Sequence, residues 1–197
     1  DGYIKITDFG LIKKNLTADP SGNSTFCGTP QYLAPEIIRE ERYSNSVDWW
    51  SFGIVLYELI AGKTPFFDSN ISKMYHKILH SSPDFDDYFS YDAKDIITKL
   101  LDKNMDNEKN IRTRLGSENG FDEIKEHPFF NGLINWDDLL DKKIEPEWKP
   151  EINDKLDTSN FVDVCTSEAP GVSHPDFVDS PDSSQFSGFT SIEPLNF

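Results

Sequence analysis

The sequence predicts a mainly α fold, entered through one short strand and left through an extended C-terminal tail. Three observations carry this. Trp49 to Ala61 is apolar on nearly every helical face, the mark of a central buried helix. Ile71 to His80 and Tyr91 to Leu101 repeat their apolar residues at helical spacing. Beyond Asn131 that periodicity dissolves into chain rich in Pro, Ser and Asp.

In chain order, Asp1-Gly2 is a hairpin-turn signal, and Gly2 to Thr7 alternates in strand fashion into Asp8. Asn15 to Thr25 is a turn-rich loop around Asp19-Pro20-Ser21-Gly22. Ala34 to Arg39 starts a short helix with Pro35 near its first turn. Ser46-Val47-Asp48 caps the central apolar segment, and Gly62 ends it. That segment is shorter than the roughly 20 residues needed to cross a bilayer. Met74, Ile78 and Leu79 mark the next helix, and Ala93, Ile96, Ile97, Leu100 and Leu101 form one stripe on another. Phe121 to Glu126 is a short helix stopped by Pro128. Prolines extend Ile144 to Pro150, and residues 166 to 185 are too polar to pack, which predicts a mobile tail. Phe186-Ser187-Gly188-Phe189-Thr190 is an aromatic island within it.

A length of 197 residues fits one domain with an extension. The mean hydropathy of -0.55 places a good part of the chain outside the core. A formal net charge of -16, from 35 acids against 19 bases, disfavours nucleic acid and anionic membrane surfaces as direct partners. It suits basic partners, and it also suits a plain solvated acidic surface. Cys27 and Cys165 stand far apart without metal spacing, which points to a reduced, cytoplasmic setting. No transmembrane run or signal peptide is visible. The chain starts at Asp1 and not at Met, which reads as a processed chain or a fragment. The four histidines form no ligand cluster. His76 and His80 have the four-residue spacing that can hold a metal, and read as a solvated helix face.

Six blocks stand in one order: Asp8-Phe9-Gly10, Gly28-Thr29-Pro30, Tyr32-Leu33-Ala34-Pro35-Glu36, Asp48-Trp49-Trp50-Ser51-Phe52-Gly53, Arg114-Leu115-Gly116 and His127-Pro128-Phe129-Phe130. In that order they resemble the C-terminal lobe of a eukaryotic protein kinase. Ser24-Thr25-Phe26-Cys27-Gly28-Thr29-Pro30 and the long tail with an aromatic motif resemble the AGC group, which holds protein kinases A, B and C. The resemblance implies an incomplete kinase-like C-terminal lobe over residues 1–130 and an AGC-type tail over 131–197.

It also implies roles. Asp8 would hold Mg²⁺ against the phosphates of ATP, with Phe9 and Gly10 forming the hinge behind it. Thr25 would be the activation-loop phosphosite, acted on by an upstream activating kinase. Thr29 and Leu33 would seat the substrate, and Glu58 would read an arginine of it, so the partners are proteins with basic residues near the phosphoacceptor. Leu11 points to serine over threonine. Glu36 and Arg114 would form a buried structural ion pair, and Asp48 would cap the central helix and tie back to the catalytic loop. Phe186, Phe189 and Thr190 would be the tail's hydrophobic motif, with Ser173 or Ser180 as a turn-motif site. Ser191 follows Thr190 where the family usually has an aromatic.

The 197 residues contain no glycine-rich loop, no His-Arg-Asp and no lysine placed to pair with a helix glutamate. They imply a kinase truncated at its start and inactive alone, with a catalytic-loop aspartate absent. The central helix would then leave an apolar face bare, making the isolated chain poorly stable. The alternative is a non-catalytic docking or decoy module that binds basic peptides or partner proteins such as a phosphatase.

Overall fold

The computed structural model describes residues 1–13, 25–106, 111–154 and 157–160. The described chain is mainly helical and divides into two compact units, residues 4–145 and residues 1–3 together with the chain from Pro146 on.

The larger unit is built on α2 (Ser46–Ala61), preceded by the single turn α1 (Pro35–Ile38) and followed by α3 (Ile71–His80), α4 (Tyr91–Leu100), α5 (Phe121–Glu126) and α6 (Trp136–Leu140). Two 3-10 turns, Phe9–Leu11 and Pro30–Tyr32, come first. Two two-residue strands, Met105–Asp106 and Ile111–Arg112, pair antiparallel between α4 and α5.

The helices start and stop for local reasons. The Asn70 side chain accepts from the Lys73 N–H at 3.1 Å and caps α3, and Ser90 does the same for α4 through Ala93 at 3.1 Å. Helix α2 ends where the Gly62 N–H closes on the Glu58 carbonyl at 2.8 Å. Its core face carries Trp50, Ile54 and Tyr57, packed with Ile96, Ile97 and Leu100 of α4 and with Ile78 of α3. Each such side chain contributes about 1.5–3 kcal/mol by leaving water. The α2–α4 crossing is close because Gly53 has no side chain: a Cβ there would stand 2.8 Å from Leu100 Cβ. Trp50 stacks on Phe66 with ring centres 5.9 Å apart and planes 12° from parallel. Tyr57 satisfies its hydroxyl on the Asp84 carbonyl at 2.6 Å.

Four expectations need correction. The N-terminal strand is not formed. The alternation is present, but among the described residues no neighbouring strand takes its backbone hydrogen bonds, and Ile4 and Ile6 lie exposed. Asp48 does not cap the central helix. The cap position belongs to Asn45, and Asp48 is the third helical residue. The entry is set instead by Ser44, whose hydroxyl accepts from the Ser46 N–H at 3.3 Å and lies 2.9 Å from the Ser46 hydroxyl.

The central helix is also not buried all round. Val55 and Leu59 are exposed on one side, Leu59 by 78%. Past Asn131 the chain is not wholly extended. Asn135 accepts from the Asp138 N–H at 3.2 Å and caps α6, and Trp136 packs edge-on against Phe121 and Phe130 at 5.0 and 5.6 Å.

In the smaller unit, the Asp157 carboxylate accepts from the Asn153 and Ser159 N–H groups, both at 2.8 Å, which holds its pKa well below the usual carboxylate range. No helix among the described residues is long and apolar enough to cross a membrane. Phe186, Phe189, Thr190, Ser173, Ser180 and Cys165 lie outside the described residues.

Candidate functional site

The chain from Cys27 to Leu33 wraps the first turn of α2 and forms one wall of a cleft of about 340 Å³. Gly28 makes the wrap possible. Its φ of 122° disfavours any side chain, and a Cβ would meet Leu33 Cδ2 at 2.9 Å. Pro30 then opens the 3-10 turn Pro30–Tyr32 with its fixed φ. Thr29, Tyr32 and Leu33 line the cleft from this wall, Asp48 and Ser51 from α2, and Leu11 to Lys13 from the segment after Asp8.

The turn is tied to α2 twice. The Ser51 hydroxyl donates to the Tyr32 carbonyl at 3.0 Å, and the Tyr32 hydroxyl donates to Glu58 Oε2 at 2.8 Å. The carboxylate beside it, then burial, push the Tyr32 phenol above its ordinary pKa. Glu58 is thereby held beside the turn, and the Gln31 side chain next to it accepts from Thr64 Oγ1 at 3.3 Å.

Asp48 opens onto the cleft from the first turn of α2. Loss of surrounding water pushes its carboxyl above the ordinary range, although the residue keeps an exposed edge. A carboxylate in the first turn of a helix is favoured by the helix dipole, so burial outweighs the dipole here.

Below the cleft lies a buried ion pair. Arg114 Nη1 and Nη2 donate to the two Glu36 oxygens at 2.8 and 3.1 Å, and both side chains are fully buried. Arg114 also donates to the carbonyls of Ser46 at 2.8 Å and Asp102 at 3.2 Å, and its guanidinium lies 5.1 Å over the Trp50 ring. One arginine thus joins α1, the start of α2 and the chain after α4.

Asp8 stands apart from the cleft lining. It is exposed in a left-handed conformation with φ 60° and ψ 71°, and its Oδ1 accepts from the Gly10 N–H at 3.4 Å. Phe9 is exposed beside it. No group of three His, Cys, Asp or Glu among the described residues is arranged to hold a metal ion. Thr25 is exposed, and its carbonyl accepts from the Tyr43 hydroxyl at 3.2 Å. The Lys13 ammonium lies 5.1 Å over the same Tyr43 ring. It is shut off from solvent and has no hydrogen-bond partner among the described residues.

The structure therefore brings Thr29, Leu33 and Asp48 to one cleft, Glu58 to its edge through Tyr32, and Glu36 to Arg114. Asp8 and Thr25 are not among the residues lining that cleft. Sequence reasoning does not find Tyr32, Lys13 or Tyr43. The one signal for Tyr32 is that Glu58, a lone acid on an apolar helix, needs a donor.

Comparison with known proteins shows the family. A model of the protein kinase domain matches residues 1–130. The chain is 46% identical over 169 residues to the serine/threonine-protein kinase gad8 of Schizosaccharomyces pombe, covering 86% of this chain and 28% of that protein. It is 40% identical over 196 residues to mouse protein kinase C delta type, covering 98% and 27%. It is 42% identical over 194 residues to human serine/threonine-protein kinase Sgk2, covering 96% and 51%. The chain spans between about a quarter and a half of the length of these relatives. With its domain match and relatives of this identity along nearly its whole length, the chain belongs to the protein kinase family, in the AGC group of serine/threonine kinases.

Proposed function

We propose that residues 1–130 are the C-terminal-lobe portion, and residues 131–197 the tail, of a kinase that transfers the γ-phosphoryl group of ATP to a Ser or Thr near basic residues. The observation that carries this is the Tyr32–Glu58 bond. It fixes a carboxylate at the edge of a cleft whose walls include Thr29 and Leu33. A basic side chain of a bound peptide meets that carboxylate, and the residue after its phosphoacceptor meets Leu33. The net charge of -16 draws such peptides in.

Mg²⁺ takes one or two carboxylates and fills its remaining positions with phosphate oxygens and water. The exposed Asp8 carboxylate fits as one such ligand. Bound there, the ion would neutralise charge on the transferred phosphoryl group. The lysine, catalytic aspartate and glycine-rich loop of phosphoryl transfer do not occur in these 197 residues. We therefore read the chain as half of a nucleotide clamp, inactive alone. The open stripe of α2, where Asp48, Val55 and Leu59 follow one another at helical spacing, supports a missing neighbour.

Phosphorylation of Thr25 by an upstream kinase would order the loop. The Thr25 carbonyl and the Lys13 ammonium both contact Tyr43, and a shielded ammonium without a hydrogen-bond partner among the described residues suits an incoming phosphate.

The test is Glu58→Gln in the complete kinase, assayed on two peptides that differ only in an arginine before the phosphoacceptor. KM should rise for the arginine peptide and stay unchanged for the other. Equal effects on both would overturn the role of Glu58. Phosphate transfer by intact 197-residue chain would overturn the clamp reading.

A further inference from the structure

We propose that His76 and His80 form a two-imidazole site for a late first-row divalent cation, of the Zn²⁺ and Cu²⁺ class. Both lie on the last two turns of α3, four residues apart and exposed. Their ring centres are 4.8 Å apart and their planes tilt by 52°. Two nitrogens on one tetrahedral Zn²⁺ stand about 3.3 Å apart, given Zn–N bonds of about 2.0 Å. Rings on adjacent helical turns at this spacing reach that separation by rotamer adjustment alone, with water completing the coordination.

Two local features suit a cation, set against one ammonium nearby, since Lys103 donates to the carbonyl of Ser81, the residue after His80. The site sits at the C-terminal end of α3, where the helix dipole is negative. Lys77, the nearest charge in sequence, is turned away: its ammonium lies 3.0 Å from Asp68 and donates to the Phe67 carbonyl at 3.1 Å. The chain as a whole carries a formal charge of -16 and concentrates cations near it. Imidazole nitrogen selects Zn²⁺, Cu²⁺ and Ni²⁺ over Mg²⁺ and Ca²⁺, so this site does not compete with a phosphate-bound Mg²⁺.

Bound metal links two successive turns of α3. That helix packs against α1 and the Pro30–Tyr32 turn, so the cation stiffens the element next to the cleft wall. The ligating imidazoles must be neutral, so binding weakens in acid.

The experiment is a Cu²⁺ titration of the complete kinase, read by electron paramagnetic resonance as the difference between the unaltered protein and its variants, with Zn²⁺ titrated calorimetrically in parallel. The difference should be one equivalent, with two equatorial nitrogen ligands. The signature should be lost in His76→Gln and equally in His80→Gln, and kept in His174→Gln. Both target side chains are exposed, so neither variant disturbs the core. Absence of that one-equivalent signature from the unaltered protein overturns the proposal. So does its survival in either single variant, or its loss in His174→Gln.

Discussion

Replacing Glu36 by Met should destabilise the fold far more than replacing Glu36 and Arg114 together. The pair is fully buried and bidentate. In Glu36→Met the guanidinium keeps its bonds to the Ser46 and Asp102 carbonyls and its place on Trp50. Two dipoles and a ring do not replace a counter-charge for a side chain fully shut off from solvent, and the cost is about 3–5 kcal/mol. Arg114→Met should cost a similar amount. It takes the guanidinium away from a buried carboxylate, and it removes the Arg114 donors from the Ser46 and Asp102 carbonyls. The double variant removes both charges and fills similar volume, so it should fall below either single change. Buried pairs replaced by apolar residues are often neutral or stabilising.

The measurement is guanidinium unfolding of the complete kinase and its three variants, followed by tryptophan fluorescence. Trp50 reports directly, since its ring carries the guanidinium. A cost of about 3–5 kcal/mol shifts the folding equilibrium by two to four powers of ten. Strong non-additivity is the expected signature. If the double variant loses the sum of the single losses, the two side chains act independently and the reasoning fails.

Three further outcomes follow from the same geometry. The isolated chain should aggregate or melt broadly, and Val55→Ser with Leu59→Ser should raise its solubility while leaving the core intact. A sharp cooperative melt of the unaltered chain would contradict this. Tyr32 has a raised pKa, so its contribution is complete below the unfolded tyrosine value near 10 and is lost as pH climbs through the raised value. Glu58→Gln should therefore move the onset of tyrosinate absorbance to lower pH. Gly28→Ala should cost about 1–3 kcal/mol, because a side chain would have to sit at φ 122° against Leu33, and its unfolding midpoint should fall accordingly.

Elements were legible where local chemistry decides them. The α4 stripe and the Gly62 stop are written within a few residues of where they act, while sequence reasoning does not find the Asn70 and Ser90 caps, which are equally local. The N-terminal alternation fails as a strand because alternation states only what a sheet would accept, and not whether a neighbour is there. Helix α6 escapes periodicity because five residues hold barely one turn, although Asn135 followed by Asp137 and Asp138 is an N-terminal signal. In the site, Glu36 and Arg114 are separated by 78 positions, a distance no local rule bridges. Only the resemblance to a family joins them. The Tyr32–Glu58 bond spans 26 positions and has the same limit, since the need for a donor is local but its identity depends on how the turn packs on α2.

The unsatisfied chemistry of α2 falls on one line. Asp48, Val55 and Leu59 are seven and four residues apart, close to whole helical turns, and each is in some way unfinished. Asp48 carries a carboxyl whose ionisation is opposed by loss of water. The other two expose apolar side chains on a helix otherwise committed to the core. A solvent face would be expected to carry charge and no large apolar groups. An interior face would be expected to be covered. A stripe with one partly desolvated acid and two bare apolar residues matches neither, and suits a surface shaped for a hydrogen-bond donor and an apolar partner. Asp48→Asn tests this directly. Because the carboxyl pKa is raised, ionisation costs stability once pH passes above the ordinary value near 3.8. The amide should therefore make the isolated chain more stable at neutral pH than the native residue, with the difference closing in acid. In the complete kinase, where the carboxylate would have its donors, the same change should destabilise. The same sign of effect in both settings would sink the idea that this stripe is an unfilled interface.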